Sequence, residues 1–528
     1  MSQNKLVMKK KTSYLDSVKP LSSMKSSSFI AFFFFTFQFC MSCSEPQVEP
    51  PAYNDEIVVS KLAKTNNGKP YIWVDGKPFL MLGAQLRTDY FIQLEGKSLE
   101  ELDEYFRLAR SLNITCVQVP ISWKDIEPKK DQYSNKFPCK FIELCNKYDM
   151  KLEILWYGSY MCGYSVQGYI PDYVIFNEAT YPSYNLGKSY QGWLGKQYWL
   201  KPDNEVLIER ESKALACMMD AIWEYDRNSG GHRTVIGIQI ENEPDMLATR
   251  HTLPGQPLQG ISAETIWPGL INLLDKLGQV VKDSKYKCYT RVNMTNTYTD
   301  YVARSSEVAA TKGIDFVGVD PYQNTISQIK TSINYYSTIE DNFSHIAENG
   351  GEFENNDILE LLSFTMGAGY EVFEVVTTKS PLLADWTLRG VYHTDFSRKA
   401  QTQKLIDANN IYRNAWVDLA IADNKNIVGF NLSTNTGLVT TKELKSTDHV
   451  SIQWSTTERG IAFAIERDGY LTVASTKADK MVFSQAQLSN PEIGHYDSNG
   501  IWIKQNSADL GNELIMTPGY IYRMKIVN

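Results

Sequence analysis

Between Phe79 and Val376 eight short apolar runs alternate with longer segments of helical spacing, and this alternation restricts the fold more than any other feature of the chain. The runs are Phe79–Gly83, Ile114–Val119, Leu152–Trp156, Thr234–Ile240, Lys287–Val292, Phe316–Val319, Ser344–Ala347 and Tyr370–Val376. Leu99–Leu112, Phe137–Tyr148, Glu205–Arg227 and Thr265–Lys282 carry the helical pattern between them, and Arg398–Ala422 closes the series. Strands apolar on both faces need helices packed on both sides, so the repetition predicts an α/β fold with a parallel sheet. Eight units predict a (β/α)8 TIM barrel rather than an open doubly wound sheet. No GxGxxG or P-loop follows any strand, which removes the usual nucleotide-binding reading.

The texture changes after Asp423. Ile427–Leu432, Val450–Trp454, Gly460–Ile465, Tyr470–Ala474 and Tyr520–Ile526 are short β-rich runs separated by Gly, Asn, Asp and Ser. We read 55–424 as a catalytic barrel and 425–528 as a C-terminal β-sandwich domain. Upstream, Lys25 precedes the apolar stretch Phe29–Phe39, too short for a bilayer span and suited to the core of a signal peptide whose pattern begins at Met24. Cys43 follows Ser42 and opens the tether 44–54, so residues 1–43 resemble a bacterial lipoprotein signal. Cys43 is then the lipid-modified residue, with Cys40 as the alternative. The expectation is a protein of the bacterial cell envelope, lipid-anchored to the outer membrane, periplasmic or surface-exposed, and touching the membrane through that anchor only.

Charge and cysteine usage narrow the partners. A net charge of −8 without basic clusters argues against nucleic acid, because phosphate binding needs grouped Lys and Arg. Tyrosines (31) and tryptophans (11) are numerous enough to supply faces that stack on sugar rings, although most must serve as core. Of the remaining cysteines none has zinc-like pairing, and Cys139 and Cys145, on one helical stretch, read as free thiols.

The chemistry begins at Glu241-Asn242-Glu243-Pro244-Asp245, where the fourth apolar run ends. In a (β/α)8 barrel reactive groups stand at the C-terminal strand ends. Alternation along that strand sends Gly237, Gln239 and Glu241 inward and leaves Glu243 at the mouth. Glu243 is the candidate acid/base, and Asn242 beside it is placed to donate to a sugar 2-hydroxyl. Retaining cleavage of a glycosidic bond needs a second carboxylate about 5–5.5 Å away. The seventh run ends in Ala347-Glu348-Asn349-Gly350-Gly351, where glycines let backbone and ligand approach closely, so Glu348 is the candidate nucleophile, with Glu352 and Glu354 as rivals in the following loop. Glu374, in the eighth run, reads either as a barrel-interior partner or as a substrate contact.

These residues carry a family resemblance. An Asn-Glu-Pro after one strand paired with a Glu after a later one resembles glycoside hydrolase clan A, retaining (β/α)8 enzymes with the acid/base after the fourth strand and the nucleophile after the seventh. Ile72–Ala84 is similar to the opening of family 35 β-galactosidases, and Ser122–Pro128 through Gln132-Tyr133 resembles the W-x-x-x-E-P…G-x-Y segment of families 35 and 42. Gln239-Ile240-Glu241-Asn242-Glu243 matches their Q-x-E-N-E. Where those families continue Cys-Ala-Glu-Trp, Cys162 is followed by Gly163-Tyr164-Ser165, so a carboxylate that would grip a terminal galactose is missing. The resemblance nominates Gln85, Arg87, Trp123, Tyr160 and Tyr322 as further substrate-binding residues, Tyr322 touching the nucleophile. It implies a retaining hydrolase of β-glycosides, an exo-acting β-galactosidase first, using two Glu and no cofactor or metal on an oligosaccharide or polysaccharide substrate. An endo-β-glycanase of the mannanase or xylanase type is one alternative, and a non-catalytic surface glycan-binding lipoprotein is the other. The long segment Gly163–Lys201, rich in Tyr and Trp, would wall off a pocket and favour exo action.

Overall fold

The computed structural model describes residues 56–192, 194–295, 299–378, 389–444 and 450–527. Residues 1–43, expected to be a signal segment ending at Cys43, and the whole of the expected tether 44–54 lie outside them. Eight parallel strands form a closed barrel: β1 (Leu82–Gln85), β2 (Cys116–Ser122), β3 (Lys151–Met161), β4 (Val235–Asn242), β5 (Tyr289–Met294), β6 (Phe316–Val319), β7 (His345–Gly350) and β8 (Gly369–Phe373). They pair in chain order, and β8 returns to β1 through Tyr370 opposite Leu82. Helices follow the strands as the apolar periodicity requires, the longest being Glu205–Asn228 and Ala263–Asp283. The expected closing helix is broken at Ala415 into Thr402–Asn414 and Trp416–Ile421.

Side chains fill the barrel, and its centre is ionic. Arg291 of β5 grips Glu153 of β3 through Nε at 2.7 Å and Nη2 at 2.8 Å, and donates to Gln239 of β4 at 2.6 Å. Gln118 donates to both Glu153 and Glu371, and His345 lies 3.1 Å from Glu371. Buried charge survives when it is paired and hydrogen-bonded, and here one guanidinium answers two carboxyls.

From Ile427 on the regular structure of the described residues is all β. One antiparallel sheet runs Ile427–Leu432, Gly460–Arg467, Tyr470–Ser475, Ile521–Val527, Glu492–Tyr496, Trp502–Ser507, with Gln487–Leu488 also paired to Ile521–Val527; the other runs Leu438–Glu443, Ser451–Thr456, Lys480–Ser484, Leu514–Ile515. Phe430, Val473 and Met524 from the first sheet share a core with Ile452, Trp454 and Met481 from the second, which is the alternating inner packing of a sandwich. Arg459 reaches Asp357 on the helix after β7 with two 2.7 Å bonds, and Asp418 of Trp416–Ile421 accepts from Arg467, Thr472 and Tyr496.

Candidate active site

The end of β4 departs from simple alternation. Glu241 has φ +61° and Glu243 φ +45°, left-handed values that bulky residues rarely adopt. The first of these turns Glu241 out of the barrel, against the inward position expected from alternation, and its carboxylate accepts the backbone N–H groups of Gly158, Ser159 and Tyr160 at 3.2, 2.9 and 2.8 Å. Glu211 of the helix behind accepts the Trp156 indole at 2.8 Å and the Ser159 hydroxyl. Burial pushes both carboxyls above the usual range, the charge of Glu211 adds to the rise at Glu241, and a hydrogen bond joins the two. A Cβ at Gly158 would stand 1.8 Å from Glu211 Oε1, so only glycine lets β3 wrap this pair. Glu241 is therefore a brace between strand and helix.

That wrapping re-aims β3. Ile240 pairs with Trp156 but Asn242 pairs with Met161, leaving Tyr157–Tyr160 to bulge. Tyr160, expected at the substrate, instead faces outward: it is fully buried and its hydroxyl donates to the Leu200 carbonyl at 2.7 Å. Tyr157 takes the inward place. Its ring lies 5.7 Å from the Arg87 guanidinium, and burial pushes its phenol well up, with Glu348 close enough to add to the shift.

Glu243 and Glu348 converge at the mouth. Glu348 lies two residues before the end of β7, and each of its oxygens accepts one bond: Oε1 from Gln85 Nε2 of β1 at 3.0 Å, Oε2 from the Tyr322 hydroxyl after β6. Glu243 keeps access to the cleft while its surroundings hold water away from its carboxyl. Burial first, and the negative charge of Glu348 second, push its pKa up to about 8, with a hydrogen bond to the Cys162 thiol pulling the other way. Two carboxyls in this relation divide the work of acid and anion at neutral pH. Cys162 and Tyr322, like Glu243, hold positive φ values (52° and 46°), so strained backbone gathers around the pair.

The other nominated residues divide. Arg87 lies at the mouth, forked onto Asp89 at 3.0 and 2.7 Å with its guanidinium 3.6 Å above the Tyr90 ring. Asn242 is buried beside Glu243; its Oδ1 accepts from Gln239 at 3.2 Å and Asn293 at 3.1 Å. Glu374 stands one residue past the end of β8, so the interior role falls to Glu371 instead. Its carboxylate accepts from Thr378, and burial, opposed by that bond and by Arg87, pushes it up to about 8. Trp123 is a correction. It opens the short helix Trp123–Ile126 under a Ser122/Asp125 capping box, is fully buried, and donates its indole N–H to Glu127 at 3.1 Å; Glu127 in turn pairs with Arg210. No face of this indole is open to a sugar. Cys139 and Cys145 are free thiols, as are the other four described cysteines.

Two residues at the heart of the site escaped the sequence reading. Asn293 accepts the Glu243 backbone N–H at 3.0 Å, and Asp320 accepts from Asn293 at 2.6 Å. The signal for the first was present: Arg291 and Asn293 are polar at alternate positions of an otherwise apolar run, the mark of inward-facing side chains.

A cavity of about 700 Å³ lies elsewhere, lined by Thr115, Lys151 and Thr234 at the opposite strand ends and by Trp416 and Tyr496. Its lining holds ionisable groups of both signs, among them Asp75, Lys77, Lys151 and Arg413, whereas the two candidate carboxyls stand at the mouth, which is the candidate site.

Comparison with known proteins gives a family model described as a domain of unknown function, DUF4978, over residues 269–437. No curated protein matches. Among solved structures the chain is similar to an exo-β-1,4-mannosidase from Opitutaceae bacterium strain TAV5, with 12% identity over 69% of this chain and 63% of that one and a TM-score of 0.47. It is similar also to a family 39 glycoside hydrolase from the gut symbiont Bacteroides cellulosilyticus WH2, with 13% identity over 87% and 84% and a TM-score of 0.43. A β-galactosidase from the psychrophilic Marinomonas ef1 is 10% identical over 63% and 59%, with a TM-score of 0.46. This chain spans less than two thirds of the first of these.

Proposed function

We propose that this chain is a retaining β-glycosidase working by double displacement, with Glu348 as nucleophile and Glu243 as acid/base. The observation that carries the reading is the electrostatic pairing of these two carboxyls, one raised to about 8 by burial and by the charge of the other. In the first step a Glu348 oxygen bonds to C1 while the C1–O glycosidic bond breaks, and Glu243 gives its proton to the leaving oxygen. In the second, Glu243, now a carboxylate, takes a proton from water as the water oxygen bonds to C1 and Glu348 leaves. Gln85 and Tyr322 hold both Glu348 oxygens and so fix the direction of attack. Asn242 presents its NH₂ group to the sugar 2-hydroxyl, and Arg87, Tyr157 and Glu374 line the same subsite.

Exo action on a terminal β-galactoside is the form we favour. The segment after β3 folds as a small antiparallel sheet, Ser165–Val166, Tyr190–Gly192 and Gly195–Tyr198, and its Tyr169 packs on Tyr157 and bonds Asp89, walling one side of the mouth. With Glu348→Gly, turnover is lost while the fold persists, and added azide yields an α-glycosyl azide from an activated β-glycoside. Hydrolysis at the wild-type rate by that variant removes Glu348 as nucleophile. Aryl β-galactoside, glucoside, fucoside, mannoside and xyloside compared side by side identify the sugar, and binding without release of product on all of them returns the glycan-binding alternative. The lipoprotein-like signal supports attachment to the cell envelope through Cys43, checked by loss of labelled palmitate on Cys43→Ala.

A further inference from the structure

The polar chain beneath the two carboxyls has a fixed direction. Arg291, which has only donors, gives a hydrogen bond to Gln239 Oε1 at 2.6 Å, so the Gln239 NH₂ must point onward, and it donates to Asn242 Oδ1 at 3.2 Å. From the other side, Asn293 Oδ1 is committed to the Glu243 N–H at 3.0 Å, so the Asn293 NH₂ must serve both Asp320 Oδ2 at 2.6 Å and Asn242 Oδ1 at 3.1 Å. Two donors on Asn242 Oδ1 leave only its NH₂ to face the cleft, where Cys162 Sγ lies 3.9 Å away. Turning any one amide over would set donor against donor or acceptor against acceptor in a buried site, which leaves polar groups unsatisfied.

We propose that Asp320 is a positioning residue that, through Asn293, keeps the Asn242 NH₂ aimed at the substrate 2-hydroxyl. This rests on the glycosidase reading above. Asp320 follows β6, is 2% exposed, and has one oxygen, Oδ1, without a hydrogen-bond partner among the described residues. Its use is as an acceptor. Burial and the charges of Glu348 and Glu243 hold its carboxyl well above the usual range, against Arg291 and the Asn293 bond, and a neutral carboxyl still accepts through Oδ2. An asparagine there offers the same acceptor. A leucine of similar size offers none, and the Asn293 amide then loses the shortest of the three bonds that fix its direction.

The test compares an aryl β-glycoside with its 2-deoxy analogue on Asp320→Leu, Asp320→Asn and Asn242→Ala. Asp320→Leu should lower kcat about 10- to 100-fold on the 2-hydroxy substrate, the worth of one aimed hydrogen bond, and leave the 2-deoxy substrate within about twofold of wild type. Asp320→Asn should restore the 2-hydroxy rate, and Asp320→Leu combined with Asn242→Ala should be no slower than Asn242→Ala alone. Should Asp320→Leu fail to fold, Asn293→Asp reads the same link, because an aspartate accepts the Glu243 N–H but cannot donate to Asn242, and the same loss confined to the 2-hydroxy substrate is expected. Equal slowing on both substrates, or full additivity with Asn242→Ala, overturns the role of Asp320 while leaving the glycosidase reading intact. A wild-type protein inert on every β-glycoside overturns both.

Discussion

The barrel buries carboxyls at two levels and treats them differently. In the lumen Glu153 and Glu371 share Arg291 and Gln118, His345 lies against Glu371, and the guanidinium forks onto Glu153. At the mouth Glu348 is held by two neutral donors, Gln85 and Tyr322, and Glu243 feels its charge directly. The lumen sets a guanidinium against its carboxyls, though burial and Glu153 still hold Glu371 well above the usual range, whereas Glu348 at the mouth is held by neutral donors. Repulsion of the kind Glu243 feels does nothing for stability and is what a proton donor at neutral pH requires, so on the proposed reading the contrast is between carboxyls that hold the fold and carboxyls that act.

The largest test of this contrast is Glu243→Gln. With an alkyl or sugar leaving group kcat should fall about 10²- to 10⁴-fold, the usual worth of general acid catalysis. With a good aryl leaving group the first step should be nearly spared, because departure no longer needs a proton. Uniform loss across leaving groups, measured by steady-state kinetics, would make Glu243 a structural carboxyl like those of the lumen.

Arg291→Met is the mirror experiment one layer down. Removing the guanidinium leaves Glu153 buried without its partner, a change that costs about 3–5 kcal/mol. The melting temperature should drop sharply, while Glu348→Gln, which relieves repulsion, should leave it unchanged or higher. Equal destabilisation by both would erase the distinction between the two levels.

How far the sequence carried this picture depends on what kind of signal each feature left. Strand positions and order were legible because the apolar runs are continuous, and Phe316–Val319 falls where the run predicts. Glu243 and Glu348 were legible as polar residues ending such runs. The positions of Glu241 and Tyr160 were not, because both depend on a left-handed residue and a bulge, and alternation assumes neither. Trp123 misled for another reason: an aromatic just past a strand reads the same whether its indole faces a sugar or a buried carboxylate four residues on. Asp320 sits just past β6 in an Asp-Pro-Tyr turn where the tyrosine drew attention, and its role emerges only from the three-dimensional link to Asn293.

A milder test follows from protonation. Glu243 must hold its proton to act as an acid, and its folded-state pKa of about 8 means that kcat/KM should fall about tenfold per unit above that pH. The same shift acts on stability in a fixed direction. Glu243 is protonated in both states well below its ordinary value of 4.5, and between there and about 8 only the folded state keeps the proton, so rising pH disfavours folding across that window. Glu243→Gln should abolish the basic limb on an activated substrate and flatten the decline in melting temperature over the same range. A limb that persists in the variant belongs to another group.

The smallest effect is expected at Trp123, and it sharpens the comparison from the outside. Trp123→Phe keeps most of the buried ring and removes one N–H donor, so Glu127 loses the 3.1 Å bond but keeps Arg210 and the Asp131 N–H at 2.8 Å. With those partners retained the cost should be about 1 kcal/mol of stability, visible in denaturant unfolding. KM and kcat should stay within about twofold of wild type, because no part of this side chain reaches the mouth and burial alone makes a tryptophan neither platform nor clamp. A selective rise in KM with stability unchanged would mean that the indole meets the sugar after all, and the brace formed by Trp123, Glu127 and Arg210 would then have to open when substrate binds.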